Sequence, residues 1–335
     1  MTITSLLQEV PIEAIANGLH FRLSKNEQWV ALKVEDGASN SVRVHSLVSS
    51  QQTYHVVLPN PIMDIQFSPD TEELIIIQKG TVTYWDFQKD NTTAYDLSPF
   101  VDDTFLDLVY DPNRKQVYLL KKGQILVLSL EEESITFSDQ TDTRTAHNER
   151  FFQSKGWIGF LPGADSSQPY SPVLSNALWS KEDIYYGESL PEEYNEALSV
   201  SLAEEEQHVA WAINTDESNT QLTIYQYCNF ENTIQLEGIN AINSRLQFLN
   251  YDRILMYYAM HNFYFFDVES GELLEKISYN SKAEPEGDWV VDFAVSADES
   301  CLMLLIATNH KNDYSYELVL KKVSMAHVHP AKTTT

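Results

Sequence analysis

Seven short marks punctuate the chain at almost even intervals: Ser24-Lys25-Asn26, Ser68-Pro69-Asp70, Asp111-Pro112-Asn113, Ser154-Lys155-Gly156, Ala203-Glu204-Glu205, Asn250-Tyr251-Asp252 and Ser296-Ala297-Asp298. Counted from first residue to first residue, the spacings are 44, 43, 43, 49, 47 and 46. Each mark follows a short apolar strand and precedes another. A period of about 40 to 50 residues with several strands per unit is that of a β-propeller blade. The expected fold is all-β: a seven-bladed β-propeller of four-stranded antiparallel blades, starting near residues 20, 62, 105, 149, 197, 245 and 289. Repeats of this length fill residues 1–325 as one domain and leave 326–335 as a polar tail.

Blade six shows the unit most plainly. Leu246–Leu249, Arg253–Ala259, Phe263–Val268 and Leu273–Ile277 are four strands joined by hairpin-length turns, with Gly271 where a positive φ is often needed. Second strands such as Leu74-Ile75-Ile76-Ile77 and Val117-Tyr118-Leu119-Leu120 are apolar without alternation, as expected of strands buried on both faces. Blade seven has three strands, Val290–Val295, Cys301–Ala307 and Tyr314–Val323. Ile3–Val10 stands before blade one with no sheet of its own, so it is expected to supply the missing strand and close the ring. Blade four is irregular: Pro162–Pro172 has loop composition, and Leu190-Pro191-Glu192-Glu193 can open a helical turn.

Charge narrows the function classes. Forty-nine acids against 22 Lys plus Arg give a net charge of −27, which repels nucleic acid and anionic lipid, so neither is expected as a partner. The chain has no apolar window long enough for a membrane span, and Met1–Val10 lacks the basic and apolar regions of a signal peptide. Cys228 and Cys301 fall in non-adjacent blades, so no disulfide and a cytoplasmic location are expected.

The turns Ser68-Pro69-Asp70 and Ser296-Ala297-Asp298 resemble the first hairpin of WD-repeat-like propellers. Tyr84-Trp85-Asp86 resembles the end of the third strand in that family, with an echo at Phe266-Asp267. The chain departs from the family in having no Gly-His dipeptide, so the Asp-His-Ser/Thr-Trp hydrogen-bond network cannot be assembled. The resemblance implies a divergent member whose role is an interaction platform.

Signals for catalysis are sparse. There is no Gly-x-Ser-x-Gly, no His-Glu-x-x-His, no phosphate-binding glycine loop and no Cys-x-x-Cys. Asp64, Asp107 and Asp292 lie on innermost strands, where a metal-dependent propeller hydrolase would bind its ion, but channel lining is the favoured reading because no matching Asn or Glu recurs in the other blades. His327 and His329 belong to the tail, and His208 opens an apolar strand. The aromatic crowd of blade six, Tyr257, Tyr258, Phe263, Tyr264, Phe265 and Phe266, reads as core. No catalytic residue, metal site or cofactor is expected.

The sharpest local anomaly is electrostatic. Between Glu182 and Ser244 there are 13 acids and no Lys or Arg. Glu192, Glu193, Glu196, Glu204, Glu205, Glu206, Asp216 and Glu217 are therefore the candidate partner-binding residues, because a single-sign field accelerates capture of a basic protein. The expectation is a non-enzymatic scaffold, chaperone or inhibitor that binds a basic protein through an acidic face. An immunity-type protein that neutralises a basic toxin and a metal-dependent hydrolase are the alternatives, and the oligomeric state is unspecified.

Overall fold

The apolar runs on either side of the marks pair into hairpins, and the hairpins into sheets of four. The computed structural model describes residues 11–12, 20–36, 39–49, 52–69, 71–112, 114–122, 124–140, 150–154, 157–161, 173–175, 184–186, 197–203, 208–226, 230–278, 289–310 and 315–325. Among these are seven four-stranded sheets, and the sole helical element is the 3-10 turn Ser98–Phe100. The chain divides into two compact units, Met1–Asp102 with Ser278–Thr335, and Asp103–Ile277.

The first unit holds three sheets. The first is Phe21–Leu23, Trp29–Asp36, Ser39–Ser46 and Thr53–Leu58, and the second is Ile62–Phe67, Leu74–Gln78, Thr81–Asp86 and Asn91–Asp96. In the seventh, Trp289–Val295, Cys301–His310 and Ser315–Ser324 are consecutive, and the fourth strand comes from the start of the chain. That strand is Pro11–Ile12, with Pro11 opposite Val319 and Ile12 opposite Leu318. The expected strand Ile3–Val10 lies outside the described residues; the observed pairing is made by the two residues after it. Proline suits this outermost place, where it has no N–H to leave unpaired.

Packing between sheets follows from the doubly buried second strands. Leu74, Ile75, Ile76 and Ile77 are all buried. Trp29 of the first sheet meets Phe87 of the second edge-on at 5.1 Å, and within each sheet Trp29 meets Tyr54 at 5.8 Å and Trp85 meets Phe87 at 6.0 Å. Phe21, Val30 and Leu32 pack against Met303, Leu305 and Leu320 of the seventh sheet.

The second unit holds four sheets, each of strands consecutive in the chain. The third is Phe105–Asp111, Gln116–Lys121, Gln124–Ser129 and Ser134–Gln140, and the fourth is Arg150–Ser154, Trp157–Leu161, Val173–Ser175 and Ile184–Tyr186. The fifth is Ser199–Leu202, His208–Asn214, Thr220–Gln226 and Phe230–Leu236, and the sixth is Arg245–Leu249, Ile254–Ala259, Asn262–Asp267 and Leu273–Ser278. The expected loop Pro162–Pro172 and the expected helical turn at Leu190–Glu193 lie outside the described residues. Five of the six crowded aromatics of the sixth sheet are core, as read, since Tyr257, Phe263, Tyr264, Phe265 and Phe266 are buried, while Tyr258 is half-buried. Tyr257, Tyr264 and Phe266 pack with Ala210, Ala212, Leu222 and Ile224 of the fifth.

The punctuation marks join the first two strands of a sheet, and at least two share one atomic design. At Ser24 the hydroxyl donates to Asn26 Oδ1 at 2.7 Å and accepts the Trp29 N–H at 3.0 Å, and Glu27 takes φ 56°. At Ser296 the hydroxyl donates to Asp298 Oδ1 at 2.7 Å and accepts the Cys301 N–H at 3.0 Å, and Glu299 takes φ 56°. A short polar side chain two residues after the serine replaces backbone bonds the turn cannot make, which explains Asn and Asp at these positions. These turns also touch: Glu27 Oε1 accepts the Ala297 N–H at 3.0 Å, and Asn26 Nδ2 donates to Glu72 Oε1 at 2.8 Å.

Candidate interaction surface

The three innermost-strand aspartates share a local cause. Asp64, Asp107 and Asp292 each follow a β-bulge in the first strand of their sheet, at Ile62/Asp64, Phe105/Asp107 and Val290/Asp292. A bulge inserts one residue and re-aims the next side chain. Asp107 Oδ1 accepts the Leu108 N–H at 2.8 Å, and Asp292 Oδ1 accepts the Phe293 N–H at 2.9 Å in the same manner. The second oxygen of Asp292 reaches the neighbouring sheet and accepts the Phe21 N–H at 2.9 Å, and this carboxylate is buried. Asp64 accepts Arg22 Nη2 at 2.8 Å and Gln66 Nε2 at 3.1 Å, while Arg22 Nη1 holds the Phe21 carbonyl at 3.1 Å. Asp64 and Asp292 thus fasten first strands of adjacent sheets. In the second unit Ser201 does the same with a hydroxyl, accepting the Phe248 N–H at 3.3 Å. No group of three acids, histidines or cysteines able to hold a metal occurs among the described residues.

Of the candidate partner-binding acids, Glu192, Glu193, Glu196, Glu204, Glu205 and Glu206 lie outside the described residues. Asp216 and Glu217 are described, and both are exposed on the loop joining the second and third strands of the fifth sheet. Asp216 caps its own loop, accepting the Ser218 N–H at 2.8 Å, the Asn219 N–H at 2.9 Å and Asn219 Nδ2 at 2.6 Å. The Ser218 N–H foremost, then the Asn219 amide, hold its carboxyl below the usual carboxylate range, so it stays charged.

That loop is tied to the linker leading into the sixth sheet. Asn240 Nδ2 donates to the Glu217 carbonyl at 2.9 Å, Thr220 Oγ1 to the Ile239 carbonyl at 2.7 Å, and the Ala241 N–H to Asn214 Oδ1 at 2.7 Å. Glu237 and Ile242 are exposed on this linker, and Met260 and His261 are exposed on the turn at the same end of the sixth sheet. Reading the sequence passes over Ile242 and Met260, because an apolar residue next to a strand looks like core until the register is known.

His208 lies beside Phe248, ring centroids 6.2 Å apart, and burial pushes its pKa down against the opposing pull of Asp252. Cys301 is a free buried thiol; Cys228, His327 and His329 lie outside the described residues. Trp85 is buried, and its indole N–H has no partner among the described residues, which matches the missing Gly-His element. No helix among the described residues is long and apolar enough to cross a membrane.

No protein-family model and no curated protein matches the sequence. Among solved structures the chain is similar to the WD40 repeats of RRP9, with 10% identity and a TM-score of 0.58 over 94% of this chain and 97% of that one. It is similar to a chain of the mitotic checkpoint complex at 12% identity and TM-score 0.60, covering 97% of this chain and 93% of that one. Hsv2 from Kluyvelomyces marxianus matches at 11% identity and TM-score 0.51, over 90% of this chain and 96% of that one. At such identities the likeness carries the fold alone, and the fold is a WD-repeat-like β-propeller.

Proposed function

We propose that this WD-repeat-like propeller is a non-enzymatic, cytoplasmic interaction platform that captures a basic protein through an acidic face. In this reading the seven sheets are the blades of one ring, residues 1–325, closed where the N-terminal strand joins the seventh sheet. Single propellers that match more than nine-tenths of the chain support that architecture.

The observation that carries the function is the stretch from Glu182 to Ser244, with 13 acids and no Lys or Arg. Of its described acids, Asp216 and Glu217 stand exposed on a loop cross-linked to the linker before the sixth sheet, so their field has a fixed origin. Fixed charges of one sign steer an oppositely charged partner at long range and set its orientation on arrival. The aspartates of the innermost strands are engaged by Arg22 and backbone amides, which supports a structural use for them. Affinity capture from native lysate, washed at about 50 and about 500 mM salt, tests the reading. A basic partner retained at low salt and released at high salt supports it; a neutral or acidic partner retained at both contradicts it.

A further inference from the structure

We infer that the corner formed by Ile242, Met260 and His261, at one end of the sixth sheet, docks a basic, aliphatic-bearing segment of the partner protein. The inference rests on the basic-partner reading above and adds the contact that holds the partner once it arrives.

Two of the nine exposed large hydrophobics among the described residues, Ile242 and Met260, lie at this end of the sixth sheet, whereas Tyr251, Leu273 and Leu274 lie at its other end. Left-handed backbone accompanies both side chains: Asn243, Met260 and His261 have positive φ. Met260 and His261 are the central pair of a two-residue hairpin turn, since Ala259 lies opposite Asn262. Their φ values are 49° and 62°, the shape of a type I′ turn. Such a turn favours Asn-Gly, because a side chain on a left-handed residue crowds its own backbone. The chain instead carries a methionine that is 57% exposed, in a turn pinned by Asn262 Nδ2 on the Met260 carbonyl at 2.7 Å. Ile242 is presented in a similar way. It sits in the turn closed by the Ser244 N–H on the Ala241 carbonyl at 3.0 Å, beside left-handed Asn243, and is 61% exposed. Local stability is given up at the Met260 turn, and what is gained is an aliphatic side chain held in water; Asn243 beside Ile242 takes the left-handed form at little cost. Strain of this kind persists where the surrounding structure fixes it, and functional surfaces are where it gathers.

Register and charge decide the occupant. Arg245 lies opposite Tyr258, so the residues preceding it and the Met260 turn share one end of the sheet. The linker bearing Ile242 is hydrogen-bonded to the loop bearing Asp216 and Glu217, and Glu237 is exposed on the same linker. An incoming segment therefore meets aliphatic contact from Ile242 and Met260 beside the exposed acids Asp216, Glu217 and Glu237, which outnumber Arg245, the cation on the strand that follows the linker. Lys or Arg satisfies the field, and Leu, Ile or Met fills the corner, where the flexible thioether of Met260 adapts its shape. Acidic segments and nucleic acid are repelled by the same charges.

The test uses the full chain as bait for a phage-displayed library of random short peptides, with the double variant Met260→Asn/His261→Gly as comparison. This variant installs the preferred turn residues, so it should melt at or above the wild-type temperature. Enriched peptides should pair Lys or Arg with an aliphatic residue and bind the double variant about tenfold more weakly. Basic peptides that bind both proteins equally overturn the docking corner and leave the basic-partner reading intact. Enrichment of acidic or uncharged peptides overturns both, and a library that yields no enriched sequence overturns the docking corner.

Discussion

The buried carboxylate of Asp292 accepts the backbone N–H of Phe21 at 2.9 Å, although 271 residues separate the two in the chain. The bond joins the first strand of the seventh sheet to the first strand of the first. It explains why an acid is tolerated at a position that is 2% exposed. A strand edge next to another sheet presents an N–H that must be satisfied, and a bulge places the carboxylate where it can do so.

Replacing Asp292 with Ala leaves the Phe21 and Phe293 amides without their acceptor. Chemical denaturation should show a loss of about 2–6 kcal/mol, given about 1–3 kcal/mol for each of the two buried groups left unsatisfied. Asp107→Ala removes one bond to the adjacent amide at a less buried site and should cost about 1 kcal/mol. Equal stability of Asp292→Ala and wild type would show that this carboxylate does not fasten the sheets.

Asp298 links acid stability to a turn. Hydrogen bonds from the Ser296 hydroxyl foremost, then from the Ser300 N–H and hydroxyl, lower its pKa from 3.8 to about 2. A depressed carboxyl contributes stability above its unfolded pKa and loses it as pH falls through the folded value. The window is therefore about pH 4 to pH 2. In that window Asp298→Asn should show a shallower decline in melting temperature than wild type. Parallel curves for the two proteins would remove Asp298 as the source.

Two glycines with the same φ separate backbone strain from crowding. Gly238 and Gly271 both have φ +71°, but a Cβ at Gly238 meets open space whereas one at Gly271 runs into the amide of Asn232. Gly238→Ala should cost about 1 kcal/mol from the left-handed backbone alone. Gly271→Ala should cost more, and the excess should vanish in an Asn232→Ala background. Equal costs in the native background would mean that Asn232 swings aside freely.

Deleting residues 1–12 removes the strand that pairs with Ser315–Ser324 through Val319 and Leu318. Stability should fall and aggregation rise, because a long edge strand is uncovered. An unchanged melting temperature would show that this pairing contributes nothing to the fold.

Architecture was legible in the chain because its punctuation is chemical. Ser-x-Asn at residue 24 and Ser-x-Asp at residue 296 make the same turn, so the period survives divergence elsewhere. The apolar run Leu74–Ile77 likewise announced a strand buried on both faces. Bulges were not legible, since one inserted residue looks like ordinary alternation slipping, and the inter-sheet role of Asp292 depends on one. Of the surface, composition exposed the acids but not Ile242 or Met260. Their exposure is set by left-handed turns at Asn243 and at Met260-His261, and the second lacks the Asn-Gly pair that normally marks it.

The most direct test of the central claim is the association rate of the captured partner as a function of ionic strength. Wild type should bind a basic partner fast at about 50 mM salt and much more slowly at about 500 mM, as the Debye length shrinks from about 14 Å to about 4 Å. Reversing Glu204, Glu205, Glu206 and Glu217 to Lys should slow association and flatten that dependence, with the melting temperature nearly unchanged. An association rate that ignores both salt and charge reversal would contradict the account and leave the acids as a solubilising surface.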